Sequence, residues 1–87
     1  MVLPDQFKNF QSPDGIIRRL PVRLSKKIAL SEWALTLFEE NRTYSEPEVN
    51  EIIGEYILDF ALIRRMLIEA GKLERDKYGK EYRKVSS

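Results

Sequence analysis

The 87-residue chain contains no cysteine and no histidine. The first absence rules out a disulfide framework and a thiol nucleophile, and the two together remove the side chains of the usual zinc sites. Without imidazole, the commonest general base near neutral pH is also missing. Glycine is scarce: Gly15, Gly54, Gly71 and Gly79 stand far apart, so no phosphate-cradling glycine-rich loop can form. No run approaches the ~18 apolar residues that a membrane-spanning helix requires. Met1-Val2-Leu3-Pro4-Asp5 lacks the charged and apolar regions of a secretory signal, so a cytoplasmic location is expected. Paired carboxylates could still do acid–base work, but none sits in a recognisable motif. The expectation is a non-enzymatic protein that needs neither cofactor nor metal.

The length fits one domain spanning residues 1–87, and 43% hydrophobic residues suffice for a single core. Net charge is only +1, but its distribution along the chain is uneven. Residues 16–27 hold Arg18, Arg19, Arg23, Lys26 and Lys27 with no acid. Residues 39–59 hold seven carboxylates against Arg42 alone. Residues 61–87 hold eight cations and four carboxylates. Any contact with a polyanion should therefore use the two flanks.

Leu3, Phe7 and Phe10 recur at i, i+4 and i+7, predicting a short helix with one apolar side. Ser12-Pro13-Asp14-Gly15 is a turn signal. Ile16 to Leu20 then reads as a short strand ended by Pro21, and this N-terminal strand is expected to pair with the C-terminal hairpin. A first helix is predicted from about Ser25, its cap, to Glu40, with Ile28, Leu30, Trp33, Ala34, Leu37 and Phe38 as its apolar stripe. Asn41-Arg42-Thr43 breaks the pattern. Ser45, Pro47 and Glu48 then supply an N-cap, a first-turn proline and a capping-box glutamate, the most secure helix start in the chain. Tyr44, just before the cap, reads as a hydrophobic staple. Val49, Ile52, Ile53, Tyr56 and Ile57 give the second helix one buried face.

Asp59 can cap a third helix that runs to about Ala70 and stops at Gly71. Its wheel gathers Phe60, Ile63, Met66, Leu67 and Ala70 on the core side, leaves Ala61, Arg65, Ile68 and Glu69 outside, and puts Arg64 on the flank. Asp76-Lys77-Tyr78-Gly79 has Asp first and Gly fourth, which suits a type I turn closing a hairpin between Leu73-Glu74-Arg75 and Glu81 to Val85. The predicted fold is α+β and winged-helix-like: three main helices, a short N-terminal strand and a C-terminal β-hairpin wing.

The set Tyr44-Ser45-Glu46-x-Glu48-Val49-Asn50, Asp59-x-Ala61-x-Ile63-Arg64-Arg65-x-Leu67, Gly71-x-Leu73-x-Arg75 and Gly79-x-x-Tyr82-Arg83 resembles a small bacterial domain family of unknown function. Gly15 and the Leu20-Pro21 pair followed by basic residues match it upstream, and Ile63 stands where leucine is expected. That family occurs alone and at the C-terminus of helix-turn-helix transcriptional regulators. The resemblance implies a winged-helix-like domain associated with transcription, no established catalytic activity and no mapped ligand residues.

The candidate nucleic-acid residues are Arg64 and Arg65 on the third helix, and Lys72, Arg75, Lys77, Tyr78, Lys80, Arg83 and Lys84 on and around the hairpin. Arginines of a second helix-turn-helix helix can reach guanine edges or phosphates. Lysines near a turn track phosphates without sequence preference, and an exposed tyrosine can stack or enter a groove. Plain structural roles compete with these: Arg64 can pair with Glu48, Glu51 or Glu55, and charged edge strands block edge-to-edge pairing. The outward face around Arg65 offers too few polar donors for base readout. Ala61, Arg65 and Ile68 would equally suit a contact with a second copy or another protein. Double-stranded DNA is the leading partner, and a protein-interaction or dimerisation domain is the alternative.

Overall fold

The capping box at Ser45 is where the fold is pinned. In the computed structural model, which describes residues 3–85, the Ser45 side chain accepts from the Glu48 N–H while the Glu48 carboxylate accepts from the Ser45 N–H. Those reciprocal bonds satisfy two donors that a helix start otherwise leaves open. They start helix α2, Glu46–Gly54. The signal-sequence reading at Met1-Val2 and the last two residues of the 1–87 span lie outside the described residues.

Helix α1, Leu24–Leu35, precedes it and helix α3, Phe60–Glu69, follows it; a 3₁₀-helix covers Asp5–Phe10. Strands β1 (Thr43–Ser45), β2 (Leu73–Arg75) and β3 (Glu81–Lys84) form one antiparallel sheet in the order β1-β3-β2. This is the expected α+β, winged-helix-like architecture. Among the described residues, no helix is long and apolar enough to cross a membrane.

The sheet's third strand comes from a different place than expected. Ile16 to Leu20 does not join the wing: Ile17 makes only single bridges, to Gln11 and to Ile57. Wing strand β3 pairs instead with Thr43–Ser45, a segment that reads as a helix break and a staple. Two features favour this choice. Tyr44 buries its ring edge-on against Phe38, 5.1 Å between centroids, and its hydroxyl accepts from the Glu39 N–H. Asn41 adopts a left-handed φ of 60°, which asparagine tolerates, and this aims the chain back across β3.

Helix ends also shift. Arg23, not Ser25, stands at the N-cap of α1, with no side-chain cap. The helix gives way after Leu35 to i→i−3 bonds from Thr36, Leu37 and Phe38, the tighter winding common at helix termini. Helix α2 stops at Gly54 because the backbone of Tyr56 to Leu58 turns to serve Ile17: Ile17 N–H donates to Tyr56 and Leu58 N–H donates to Ile17. Helix α3 starts as expected, with Asp59 accepting from Leu62 N–H. It ends in a Schellman motif, where Gly71 (φ 72°) donates to Ile68 and Lys72 donates to Leu67.

The core joins one face of each helix to the inner side of the sheet. Leu30 and Ala34 of α1, Val49 and Ile53 of α2, Ile63 and Leu67 of α3, and Leu73 and Tyr82 of the hairpin are all buried. Leu3, Phe7 and Ile17 close one side. Trp33, Phe10 and Phe60 are partly buried against this cluster. Ala70 and Ile28, placed in the core by their wheels, are exposed instead.

Candidate nucleic-acid interface

The hairpin register determines which of its charged side chains act together. Leu73 faces Lys84, Glu74 faces Arg83 and Arg75 faces Tyr82. Directly opposed residues share a sheet face, so Arg75 and Lys84 lie on the inner side with Leu73 and Tyr82. Arg83 and Glu74 lie outside, joined by a 2.7 Å ion pair. Lys84 is half-buried, with Nζ donating to the Phe38 carbonyl at 3.4 Å. The hairpin's cations therefore do not form one row.

The tip is different. Asp76 accepts from the backbone N–H of Lys80 at 2.7 Å and of Glu81 at 3.4 Å, and Gly79 donates to the Asp76 carbonyl, as a type I turn requires. The Lys80 amide is the main reason the Asp76 carboxyl sits below its ordinary pKa, with the Glu81, Tyr78 and Gly79 amides adding to it against desolvation. Gly79 takes φ 69°, a conformation costly for residues with a Cβ. The turn is thus ordered while its side chains project: Tyr78 is 71% exposed, and Lys77 rests its ammonium 5.1 Å from the Tyr78 ring centre. Lys72, Lys77 and Lys80 are exposed and make no ion pair among the described residues.

Neighbouring arginines on α3 have opposite environments. Arg64 is largely buried and donates to Asn50 Oδ1 at 2.5 Å, with its Nε 3.9 Å from Glu46. Its partners are Asn50 and Glu46 rather than Glu48, Glu51 or Glu55. Tyr82 donates its hydroxyl to the same Glu46 carboxylate at 2.5 Å. Burial and then this bond raise the Tyr82 pKa, with Arg75 and Arg64 pulling the other way. Glu46, Arg64, Asn50 and Tyr82 thereby staple the wing to α2 and α3. Arg65, one residue on, is exposed and makes no ion pair among the described residues. Beside it, Ala61 and Ile68 are half-buried and present little apolar surface.

The two basic flanks are anchored at opposite ends of α2. Ile17 binds the backbone of Tyr56 and Leu58 just after that helix, whereas the wing pairs with Ser45 and Glu46 at its start. Nine residues of helix, about 13 Å at 1.5 Å per residue, separate these anchors. The solvent side of α2 between them carries the exposed Glu48, Glu51 and Glu55.

One surface feature escaped the sequence reading. Val22 is 94% exposed, Leu24 65% and Ile28 41%, an aliphatic cluster amid the cations of residues 16–27. Leu24 and Ile28 share a helix face at i, i+4. The signal is Val22-x-Leu24 directly after Pro21, whereas Ile28 falls in phase with the predicted core stripe.

The family model described as "Uncharacterized protein conserved in bacteria (DUF2087)" matches residues 16–84, so the chain belongs to that family. No curated protein and no solved structure matches the chain.

Proposed function

We propose that this family member is a non-enzymatic module that grips double-stranded DNA by its phosphate backbone, with the wing tip as the main contact, in a transcription-regulating setting. The observation that carries this reading is the tip itself: Lys77, Tyr78 and Lys80 project from a turn held by Asp76, and their charges have no acidic partner among the described residues. An ordered turn presents its ammonium groups without first having to immobilise a loop, which lowers the entropic penalty of binding. Arg65 and Lys72 extend the exposed positive charge. Arg64, Arg75, Arg83 and Lys84 take part mainly by holding or flanking this surface, since each touches carboxylate, amide, carbonyl or hydroxyl groups of the fold. Such a surface reads charge and shape, not base sequence. The transcriptional setting rests on the family resemblance.

Titration of labelled duplex at two salt concentrations tests this. Binding should be measurable at about 50 mM salt and fall steeply as salt rises, because neutralised phosphates release counterions. Lys77→Ala with Lys80→Ala should weaken binding on every sequence about equally and reduce the log–log salt slope by about 0.9 per lost contact. Absence of binding at low salt defeats the reading.

A further inference from the structure

Opposite ends of α1 carry surfaces that complement one another. At the start, Val22, Leu24 and Ile28 make an exposed aliphatic knuckle on a short stretch of chain that also carries the exposed Arg23 and the half-buried Lys26 and Lys27. Past the other end, a groove of about 800 Å³ runs between the turn after α1 and the solvent side of α2. Its walls carry Glu39, Glu48, Glu51 and Glu55, and Leu37 and Ile52 give it apolar side-chain surface. The cation in the groove, Arg42, is committed to Glu39 at 3.2 Å and to the Tyr44 ring at 4.9 Å.

We propose that the knuckle of one copy seats in the groove of a second copy, so that the chain self-associates. The knuckle supplies what the groove lacks: aliphatic side chains for Leu37 and Ile52, and cations for Glu51 and Glu55, since Glu39 is paired with Arg42 and Glu48 with the Ser45 N–H. A side chain as exposed as Val22 contributes nothing to its own fold, and a cluster of such side chains among polar neighbours marks an interaction surface. Charge complementarity sets orientation and excludes knuckle-to-knuckle or groove-to-groove pairing, in which like charges meet. Because the two surfaces are distinct, the contact is heterologous: two copies close a dimer where both knuckles seat at once, and otherwise copies add head to tail. This contact uses neither Lys77, Tyr78 nor Lys80, so it stands or falls independently of DNA binding by the wing.

Charge exchange between two variants tests it. Arg23→Glu with Lys27→Glu reverses the knuckle, and Glu51→Lys with Glu55→Lys reverses the groove. Glutamate near the start of α1 and lysine at the end of α2 both suit the helix dipole, so both variants should fold, as circular dichroism will check. In sedimentation velocity at about 50 mM salt, the wild-type chain should self-associate and dissociate as salt screens the contact. Each variant alone should lose at least about tenfold in association constant, a difference of about 1.4 kcal/mol. An equimolar mixture should recover association through the acidic knuckle of one and the basic groove of the other. A monomeric wild type, variants that still associate, or a mixture that stays monomeric overturns the proposal. So does a chain that remains monomeric while its knuckle binds anionic phosphatidylserine vesicles, or while Val22→Asp weakens DNA binding.

Discussion

The two basic flanks have similar charge in the sequence and become different surfaces in the fold. The hairpin hides its apolar side chains: Leu73 and Tyr82 are buried, and Tyr78 alone shows a large apolar face. Its strand β3 is tied by register to β1, its turn is held by Asp76, and Tyr82 is stapled to α2. The segment from Ile16 to Lys27 hides only Ile17 and Pro21 and exposes Val22 and Leu24. Ordered cations on a turn suit a charged polymer, whereas aliphatics framed by cations suit an acidic groove. Charge counted along a sequence does not distinguish these; the neighbours of each charge do.

The strongest way to break the comparison is to remove what both flanks rest on. Ile53, in the last turn of α2, and Leu67, in the last turn of α3, are both fully buried in the single core. Replacing either with Ala should cost about 2–4 kcal/mol in urea unfolding, the usual range for truncating a buried aliphatic. Both flanks should then lose amide protection together. A cost below ~0.5 kcal/mol, or loosening of one flank alone, would show that they do not share this core.

A smaller change separates the flanks. Tyr82→Phe keeps the buried ring but removes the hydroxyl that Glu46 accepts, leaving the carboxylate with Arg64 as its neighbour. The expected cost is about 1.5–3 kcal/mol, as for a hydrogen bond to a charged group. Faster amide exchange should appear in β3 and β1 but not at Ile17. Burial of this hydroxyl, together with the same bond, predicts an alkaline effect. The folded-state pKa of Tyr82 is raised, by burial first and Glu46 second. Its stabilisation is therefore complete below the ordinary tyrosine value of about 10 and is lost as pH rises through the folded value. Thermal melts between about pH 9 and 11 should show wild type losing more stability than Tyr82→Phe. Equal losses would mean that the hydroxyl does not hold the wing.

Local signals were legible where the residues that make a feature lie close together in the chain. The Ser45–Glu48 box, the Asp59 cap, the Gly71 stop and the Asp76–Gly79 turn each span a few residues, and each stands where the sequence indicates. What was not legible depends on distant partners. Nothing near Tyr44 reveals that Thr43–Ser45 will take the place beside β3, because that depends on Phe38 and Tyr82. Nothing around Ile57 shows that its backbone will leave α2 to meet Ile17. At the candidate interface, the helical wheel separates Arg64 on the flank from Arg65 outside, but that the partners of Arg64 are Asn50 and Glu46 depends on how α2 packs against α3. Ile28 lies in phase with the core stripe of α1 yet stays exposed, because the chain before Leu24 brings nothing to cover it.

The finest distinction lies in two aspartates, one locking the turn that leads into the N-terminal flank and one the turn of the hairpin. Asp14 accepts from the Ile16 N–H and from Arg18, and both lower its pKa, the Ile16 amide more than the arginine. Asp76 is lowered by backbone amides alone, Lys80 first. Both folded-state values lie below the ordinary Asp value of about 3.9. Each aspartate therefore contributes stability that is present above that value and disappears as pH falls through the folded value. Salt should separate them. The Arg18 attraction acts between exposed charges and is screened within about 10 Å at 0.1 M and about 3 Å at 1 M. Fixed backbone donors are not removed in that way. Following the carboxylates by NMR from about pH 6 to 2, the Asp14 midpoint should move up toward its ordinary value between about 0.05 and 1 M salt, while that of Asp76 stays nearly constant. An Asp76 midpoint that moves as far as that of Asp14 would mean that lysine charges, rather than the amides of the turn, hold it down. The wing tip would then be a pliable cluster of charges, and its ordered presentation to a phosphate backbone would lose its basis.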